Sequence, residues 1–379
     1  MQFRDLGAQY QTLKPNIDEA INFVLDSGVF IGGVEVTSLE KELAEYLNVK
    51  HCITCGNGTD ALELALMAWE IGPGDAVIVP DFTFFSSGEV VSAVGATPVF
   101  VDVLEDTFNL DPSQIEPAVK QAKEAGLNPR VVIAVDLFGQ PADYLSIKKE
   151  CERFDLLLLE DGAQGFGGEI GSQKACSFGD ISTTSFFPAK PLGCYGDGGA
   201  IFTNNDEWAQ LIRSYAVHGK GSMKYDNVRI GMNSRLDSVQ AAILRVKLNA
   251  FKEYEVTAVN ERADWYNNAL EGMDLTLPSV PDSMTSSWAQ YTVILPDNIN
   301  RSQLQAELKK DDVPTMVYYP KPMHEQEAFR GQAVLLPSSY PVTSKLCERV
   351  LSLPMGPYLT KEDLNCAVDA LRAYYDNYC

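Results

Sequence analysis

Leu156-Leu157-Leu158-Leu159-Glu160-Asp161 carries four consecutive leucines up to two acids. A strand with one wet face alternates apolar and polar residues, so a short unbroken apolar run fits a strand buried on both sides. Outward from it, comparable runs recur at 51–55, 76–80, 98–103, 131–137, 181–186 and 200–203. Between several of them lie segments of 3.6-residue periodicity, at 60–70, 113–125 and 142–154. Short strands alternating with helices indicate an α/β fold built on a mainly parallel sheet covered by helices.

After Asp206 the pattern changes. Residues 236–270 contain neither Gly nor Pro, which predicts one very long helix or two abutting ones. Strand-like runs at 291–295 and 315–319, with helical segments at 303–311 and 361–378, suggest a smaller α+β domain. The chain therefore divides into 1–250, an N-terminal arm plus large domain, and 251–379, a small C-terminal domain. A length of 379 residues suits two domains at roughly 150 residues each. Residues 1–30, polar text before an amphipathic helix, are expected to pack as an arm on a neighbour.

Lys and Arg number 30 against 52 Asp and Glu, a net charge of −22. Such a surface repels a nucleic-acid backbone or an anionic membrane, but leaves room for a small anion in a local positive pocket. No apolar run approaches the roughly 18 residues of a membrane span, and Met1-Gln2-Phe3-Arg4-Asp5 lacks a signal-peptide core, so a cytoplasmic protein is expected. Eight scattered cysteines do not form a disulfide framework, and Cys52-Ile53-Thr54-Cys55 reads as core thiols on a strand. His51, His218 and His324 show no metal spacing, so no metal is expected.

Ligands of open parallel sheets bind at the carboxyl ends of the strands. Glu160 and Asp161 end one strand; each reads as a functional acid or as a cap or rim acid. Asp136 ends another and is read as structural. In Ser185-Phe186-Phe187-Pro188-Ala189-Lys190-Pro191-Leu192-Gly193, two prolines bracket a lysine and exclude a regular element. A lysine fixed there suits Schiff-base chemistry, its amine made nucleophilic by desolvation; an ordinary loop lysine is the alternative. Gly56-Asn57-Gly58-Thr59-Asp60 joins a strand to a helix and reads as a phosphate cradle, or as a plain turn capped by Thr59. The glycines at 193–199 turn the chain after Lys190. Together these features supply a lysine for an aldehyde, a carboxylate for a ring nitrogen, a helix N-terminus for a phosphate and aromatics for stacking, the set that pyridoxal 5′-phosphate requires.

Glu160-Asp161-Gly162-Ala163-Gln164, Phe178-Gly179-Asp180, the 185–190 run and Tyr195-Gly196-Asp197-Gly198-Gly199 resemble the core of the DegT/DnrJ/EryC1/StrS sugar aminotransferases. The resemblance extends, in family order, to Gly58-Thr59-Asp60-Ala61-Leu62, Pro80-Asp81-Phe82-Thr83-Phe84 and Asn233-Ser234-Arg235-Leu236-Asp237-Ser238-Val239-Gln240-Ala241-Ala242. It implies a fold type I architecture: a large domain with a mainly parallel seven-stranded sheet, a small C-terminal domain, and a homodimer with shared sites. By position it makes Lys190 the Schiff-base lysine and Asp161 the partner of the pyridine nitrogen. Gln164 would lie near the ring or its hydroxyl, and Phe84 would stack on the ring, where many relatives have Trp or Tyr. Thr59, Asp60 through its backbone N–H, and Ser185 would hold the phosphate, joined by Asn233 of the partner subunit.

Residues 188–195 and 224–233 look like the branch that aminates C3 of a UDP-2-acetamido-3-keto-glucuronic acid, in amino-sugar biosynthesis for surface polysaccharide. There an arginine at the Arg229 position meets the sugar carboxylate, which a guanidinium can engage through two parallel hydrogen bonds; a surface ion-pair arginine is the plain alternative. His324 matches a family histidine near the sugar nucleotide, or is a core or capping histidine. Tyr319 and Lys220 are further candidates. The implied reaction moves an amino group from an amino acid, by family analogy L-glutamate, to a keto sugar nucleotide, with the cofactor passing through pyridoxamine phosphate. Another 3- or 4-keto nucleotide-sugar is an open alternative. A sugar dehydratase of this family carries histidine at the Lys190 position, a non-catalytic relative would lose Lys190 or Asp161, and a dinucleotide dehydrogenase needs a GxGxxG that is missing here.

Overall fold

The computed structural model describes residues 1–379 apart from 224, 338, 339 and 379, so Lys224 of the 224–233 motif and Cys379 lie outside the described residues. All seven apolar runs are strands of one sheet. They are β1 (His51–Cys55), β2 (Asp75–Pro80), β3 (Thr97–Val101), β4 (Asn128–Val135), β5 (Leu157–Asp161), β6 (Ile181–Ser185) and β7 (Gly199–Thr203), in the order β1-β7-β6-β5-β4-β2-β3. The pairs β2–β3, β2–β4, β4–β5 and β5–β6 are parallel, whereas β7 runs antiparallel to both β6 and β1.

Both faces are covered, which is why the runs are continuous. Along β7, Ile201 joins one core layer with Val132, Leu159 and Ala118, while Ala200 and Phe202 join a second with Leu39, Phe186 and Leu244. Fully burying a side chain of the larger of these kinds stabilises by about 1.5–3 kcal/mol, so the sheet is a rigid floor for whatever its strand ends carry. Cys52 and Cys55 are buried on β1, where burial pushes both thiols up.

The 236–270 region is one continuous helical path: Ser238–Ala250, a wider turn at Phe251–Glu255, then Val256–Leu270. The helix Leu6–Ser27 packs Leu13 and Ile17 against Ile243 and Ala250 of the same chain. Beyond it, Phe30, Ile31 and Val34 stay exposed, as do Phe23 and Leu25 near its end. The C-terminal part pairs β8 (Tyr291–Ile294) antiparallel with β9 (Val350–Leu353), over a core that includes Tyr266, Leu304, Leu364 and Leu371.

One expectation is corrected. Residues 315–319 do not form a strand; Met316 makes a single bridge to Ser352 of β9. The chain then leaves the sheet and delivers Tyr319 to Gln164, and Pro320 and Pro322, which lack N–H donors, cannot extend a ladder. Among the described residues no helix is long and apolar enough to cross a membrane.

Candidate active site

The two acids of β5 face different surroundings. Glu160 is fully buried and accepts from the backbone N–H of Phe178 (2.6 Å), Gly179 (3.1 Å) and Cys176, and from Ser182 Oγ (2.7 Å). A carboxylate so surrounded organises the 176–182 turn and has little capacity left for a ligand. Asp161, also buried, accepts from Ser87 Oγ at 2.8 Å and from the Ala163 N–H at 3.2 Å. Burial raises its pKa, and the Ser87 hydroxyl, the Lys190 charge and the Ala163 N–H oppose that shift. Asp136 is structural as expected: it accepts from Tyr144 OH (2.7 Å) and the Ala142 N–H (3.1 Å).

Lys190 sits on a pinched excursion from the end of β6. Its N–H bonds Phe187 O at 2.8 Å, and the Cys194 N–H bonds Phe186 O at 2.8 Å, closing the loop. Gly193 makes the pinch possible, because a Cβ there would stand 2.5 Å from Pro188 O. Desolvation lowers the Lys190 pKa to about 8, with Asp161 opposing and Arg4 adding to the drop. The neutral, nucleophilic amine is thus far more accessible near neutral pH than in an ordinary lysine, and it feels the charge of a buried carboxylate.

Gln164 lies on the same side. Its Oε1 accepts from the Phe138 N–H at 2.6 Å, and its Nε2 donates to Tyr319 OH at 3.2 Å. The Tyr319 ring lies 6.1 Å from that of Phe84, which is 53% exposed and free to meet a flat ligand. The structure therefore brings Lys190, Asp161, Gln164, Tyr319 and Phe84 together.

The helix Gly58–Ala68 starts beside the end of β6, where a Cβ on Gly58 would come within 2.8 Å of Ser185 Cβ. Its cap is Asn57, not Thr59: Asn57 Oδ1 accepts from the Asp60 N–H at 2.8 Å. An Asn reaches the amide three residues on as readily as a Thr, and it stands at the last non-helical position. Ser234 Oγ accepts from the Gly56 N–H (2.8 Å) and donates to Asp60 Oδ2 (2.6 Å). Ser185 Oγ accepts from the Phe187 N–H at 3.2 Å.

The remaining candidates are held elsewhere within the chain. Arg229 donates to Ser214 Oγ and lies over the Tyr215 ring, 5.5 Å from its centroid. Asn233 is exposed and accepts from Arg235 at 2.7 Å, next to the Ser234 that ties the Gly56–Asp60 turn. Lys220 is in the same 217–233 region, its main chain bridged to Asn227. His324 stacks on Tyr340 with centroids 4.5 Å apart, and its Nδ1 lies 2.6 Å from Asp81 Oδ2. The Asp81 bond, first among the causes, raises the His324 pKa. A histidine raised on folding contributes stability that is full below its unfolded value, near 6.5, and fades as pH rises through the folded value. His324→Gln is therefore expected to lower the melting temperature more at about pH 6 than at about pH 9; an equal drop at both contradicts the link.

Sequence reasoning missed Ser87, Arg4 and Asp81. Ser87 was findable: a buried acid needs a donor, and Thr83 and Ser87 stand four residues apart, their oxygens 3.0 Å from each other. Arg4 is distant in sequence and had no local signal.

The donor set fits pyridoxal 5′-phosphate. A desolvated amine, a buried carboxylate with its own hydrogen-bond support and a glycine-lined helix start against Ser185 match the aldehyde, ring nitrogen and phosphate of that group.

Comparison with known proteins agrees. The family model described as the DegT/DnrJ/EryC1/StrS aminotransferase family matches residues 11–372. The chain is 42% identical over 371 residues to the UDP-2-acetamido-2-deoxy-3-oxo-D-glucuronate aminotransferase of Pseudomonas aeruginosa, covering 98% of this chain and 99% of that one. It is 40% identical over 360 residues to the UDP-N-acetyl-3-dehydro-alpha-D-glucosamine 3-aminotransferase of Acidithiobacillus ferrooxidans, covering 95% and 94%. Among solved structures, a DegT DnrJ EryC1 StrS aminotransferase from Brucella abortus superposes with a TM-score of 0.95 at 46% identity, over 99% of both chains. The chain belongs to the DegT/DnrJ/EryC1/StrS aminotransferase family, whose enzymes depend on pyridoxal 5′-phosphate.

Proposed function

We propose that this protein moves the amino group of L-glutamate to a keto sugar nucleotide, UDP-2-acetamido-2-deoxy-3-oxo-glucuronate, in amino-sugar biosynthesis for surface polysaccharide. The observation that carries the reading is the arrangement at the sheet's edge: Lys190 on its pinched loop at the end of β6, the buried Asp161 of β5 supported by Ser87 and Ala163, and Gln164, Tyr319 and Phe84 alongside. Pyridoxal 5′-phosphate, when bound, supplies an aldehyde for an amine to attack and a protonated ring that draws electrons from the donor's Cα–H bond. Lys190 would anchor the cofactor, and its amine would serve as the base that takes the proton from the donor Cα and as the acid that returns it. Asp161, steadied by Ser87 and Ala163, holds its negative charge toward the ring nitrogen. Gln164 would orient the ring hydroxyl, and Phe84 would cover the ring. Thr59, Asp60, Ser185 and Asn233 of the partner subunit would hold the phosphate, with the Asp60 N–H shared with or released from its Asn57 cap. Arg229, His324 and Tyr319 meet the sugar nucleotide.

This reading includes a division into 1–250 and 251–379, a homodimer with shared sites, and a cytoplasmic location. The exposed Phe23, Leu25, Val29, Phe30, Ile31 and Val34 form the kind of apolar surface a second copy covers. The seven described cysteines are free, in keeping with a reducing compartment.

A second reading, a neutral 3- or 4-keto acceptor, is favoured by the engagement of Arg229 with Ser214 and Tyr215 of its own chain. The test offers glutamate with a 3-keto uronic acid and a neutral 3-keto nucleotide-sugar, and reads amino sugar by mass spectrometry. Arg229→Ala is expected to lower kcat/KM for the uronic acid by roughly 10–100-fold while sparing the neutral sugar. Equal loss on both removes Arg229 from carboxylate recognition.

A further inference from the structure

Behind the Lys190 loop lie two cations that the chemistry above does not use. Lys247, 1% exposed, donates from Nζ to Gly193 O, and its ammonium lies 5.0 Å from the Tyr195 ring centroid. Arg4 Nη2 lies 3.4 Å from Pro191 O, while its Nη1 is buried without a partner. Both side chains feel the charge of Glu255, which is 2% exposed. Glu255 Oε1 accepts from Gln9 Nε2 at 2.8 Å and from Tyr358 OH at 2.6 Å, and Tyr358 OH lies 2.9 Å from Tyr254 OH. Arg4 of the N-terminal arm and Lys247 of the long central helix thus reach Pro191 and Gly193, while Gln9 of the first helix and Tyr358 of the C-terminal segment hold Glu255. Burying an ammonium against a main-chain carbonyl is costly, and an apolar side chain could fill the same space.

We propose that Lys247 and Arg4 form a clamp on the Gly193 and Pro191 carbonyls, anchored by Glu255, that positions the Lys190 amine and keeps positive charge beside it. Both are positioning residues for Lys190, and the role rests on the function proposed above. Lys190 is influenced by Asp161 from β5 and by Arg4 from the arm, and Arg4 acts in the direction that frees the amine of its proton. Lys247 in turn is influenced by Glu255, Arg4 and Cys194.

The test uses the full-length protein in its cofactor-free form. The pH dependence of Lys190 labelling by acetic anhydride gives the amine's midpoint, and hydrogen exchange of the 188–195 peptide reports loop opening. Arg4→Met is expected to raise the midpoint by roughly half to one pH unit, with Arg4→Lys restoring it. Lys247→Met is expected to speed loop exchange about tenfold or more, with β4 and β5 still protected. Should Lys247→Met fail to fold, Glu255→Gln, which keeps the shape and removes the anchoring charge, is expected to loosen the same peptide. An unmoved midpoint in Arg4→Met removes Arg4 from the clamp, and unchanged loop exchange removes Lys247. A lower melting temperature with both readouts unmoved leaves a structural role alone and overturns the proposal. Neither readout depends on cofactor, so an enzyme that fails to carry pyridoxal phosphate on Lys190 would refute the function and not the clamp.

Discussion

Lys190→Ala is expected to lower kcat by roughly 10³-fold or more, because on the proposed reading one amine serves as both cofactor anchor and proton carrier. The melting temperature should move by no more than about 2 °C, since the substitution removes a desolvated ammonium from a loop and not a core side chain. Lys190→Arg, with a guanidinium that stays protonated, is expected to be as inactive. The sign of the pH effect follows from the amine's low pKa. Below about 8 a growing fraction is protonated and cannot attack, so cofactor capture by the cofactor-free protein should accelerate as pH rises toward that value. Retention of more than a tenth of wild-type kcat in Lys190→Ala, measured as 2-oxoglutarate release, would remove Lys190 from the mechanism.

Asp161→Asn is expected to cost roughly 10²–10³-fold in kcat, the scale seen when one preorganised electrostatic group is lost. The amide keeps the size of the carboxylate and can still accept from Ser87, so the fold should survive. Activity is expected to fall while the melting temperature holds. Glu160→Gln provides the contrast. One residue away on β5, Glu160 accepts four hydrogen bonds from the 176–182 turn. Its substitution places an NH₂ group against those donors, so it should reduce stability first and chemistry second. Equal kinetic losses with equal drops in melting temperature for the two variants would contradict the division of labour along β5.

The sheet was legible because burial on both faces leaves continuous apolar text. Residues 131–137 and 156–160 marked β4 and β5 to within a few positions, and Pro188 and Pro191 marked Lys190 as belonging to no regular element. What the text could not show was contact between distant segments. Ser87 meets Asp161 across 74 residues and Gln9 meets Glu255 across 246, and neither has a local signature. The run at 315–319 has strand-like residues, yet tertiary packing takes Tyr319 to Gln164 instead. Asn57 and Thr59 are both good caps, and only the backbone conformation distinguishes them. The exposed aromatics at the end of the first helix were readable as an amphipathic arm, but their exposure in the folded chain was not.

On the proposed reading Lys190, which feels the charge of Asp161, carries the cofactor. Borohydride reduction of the purified full-length protein, followed by peptide mapping with mass spectrometry, tests it most directly. A pyridoxyl group is expected on the peptide that contains Lys190, and is expected to be lost in Lys190→Ala. A pyridoxyl group found on another lysine, or none after incubation with pyridoxal 5′-phosphate, contradicts it.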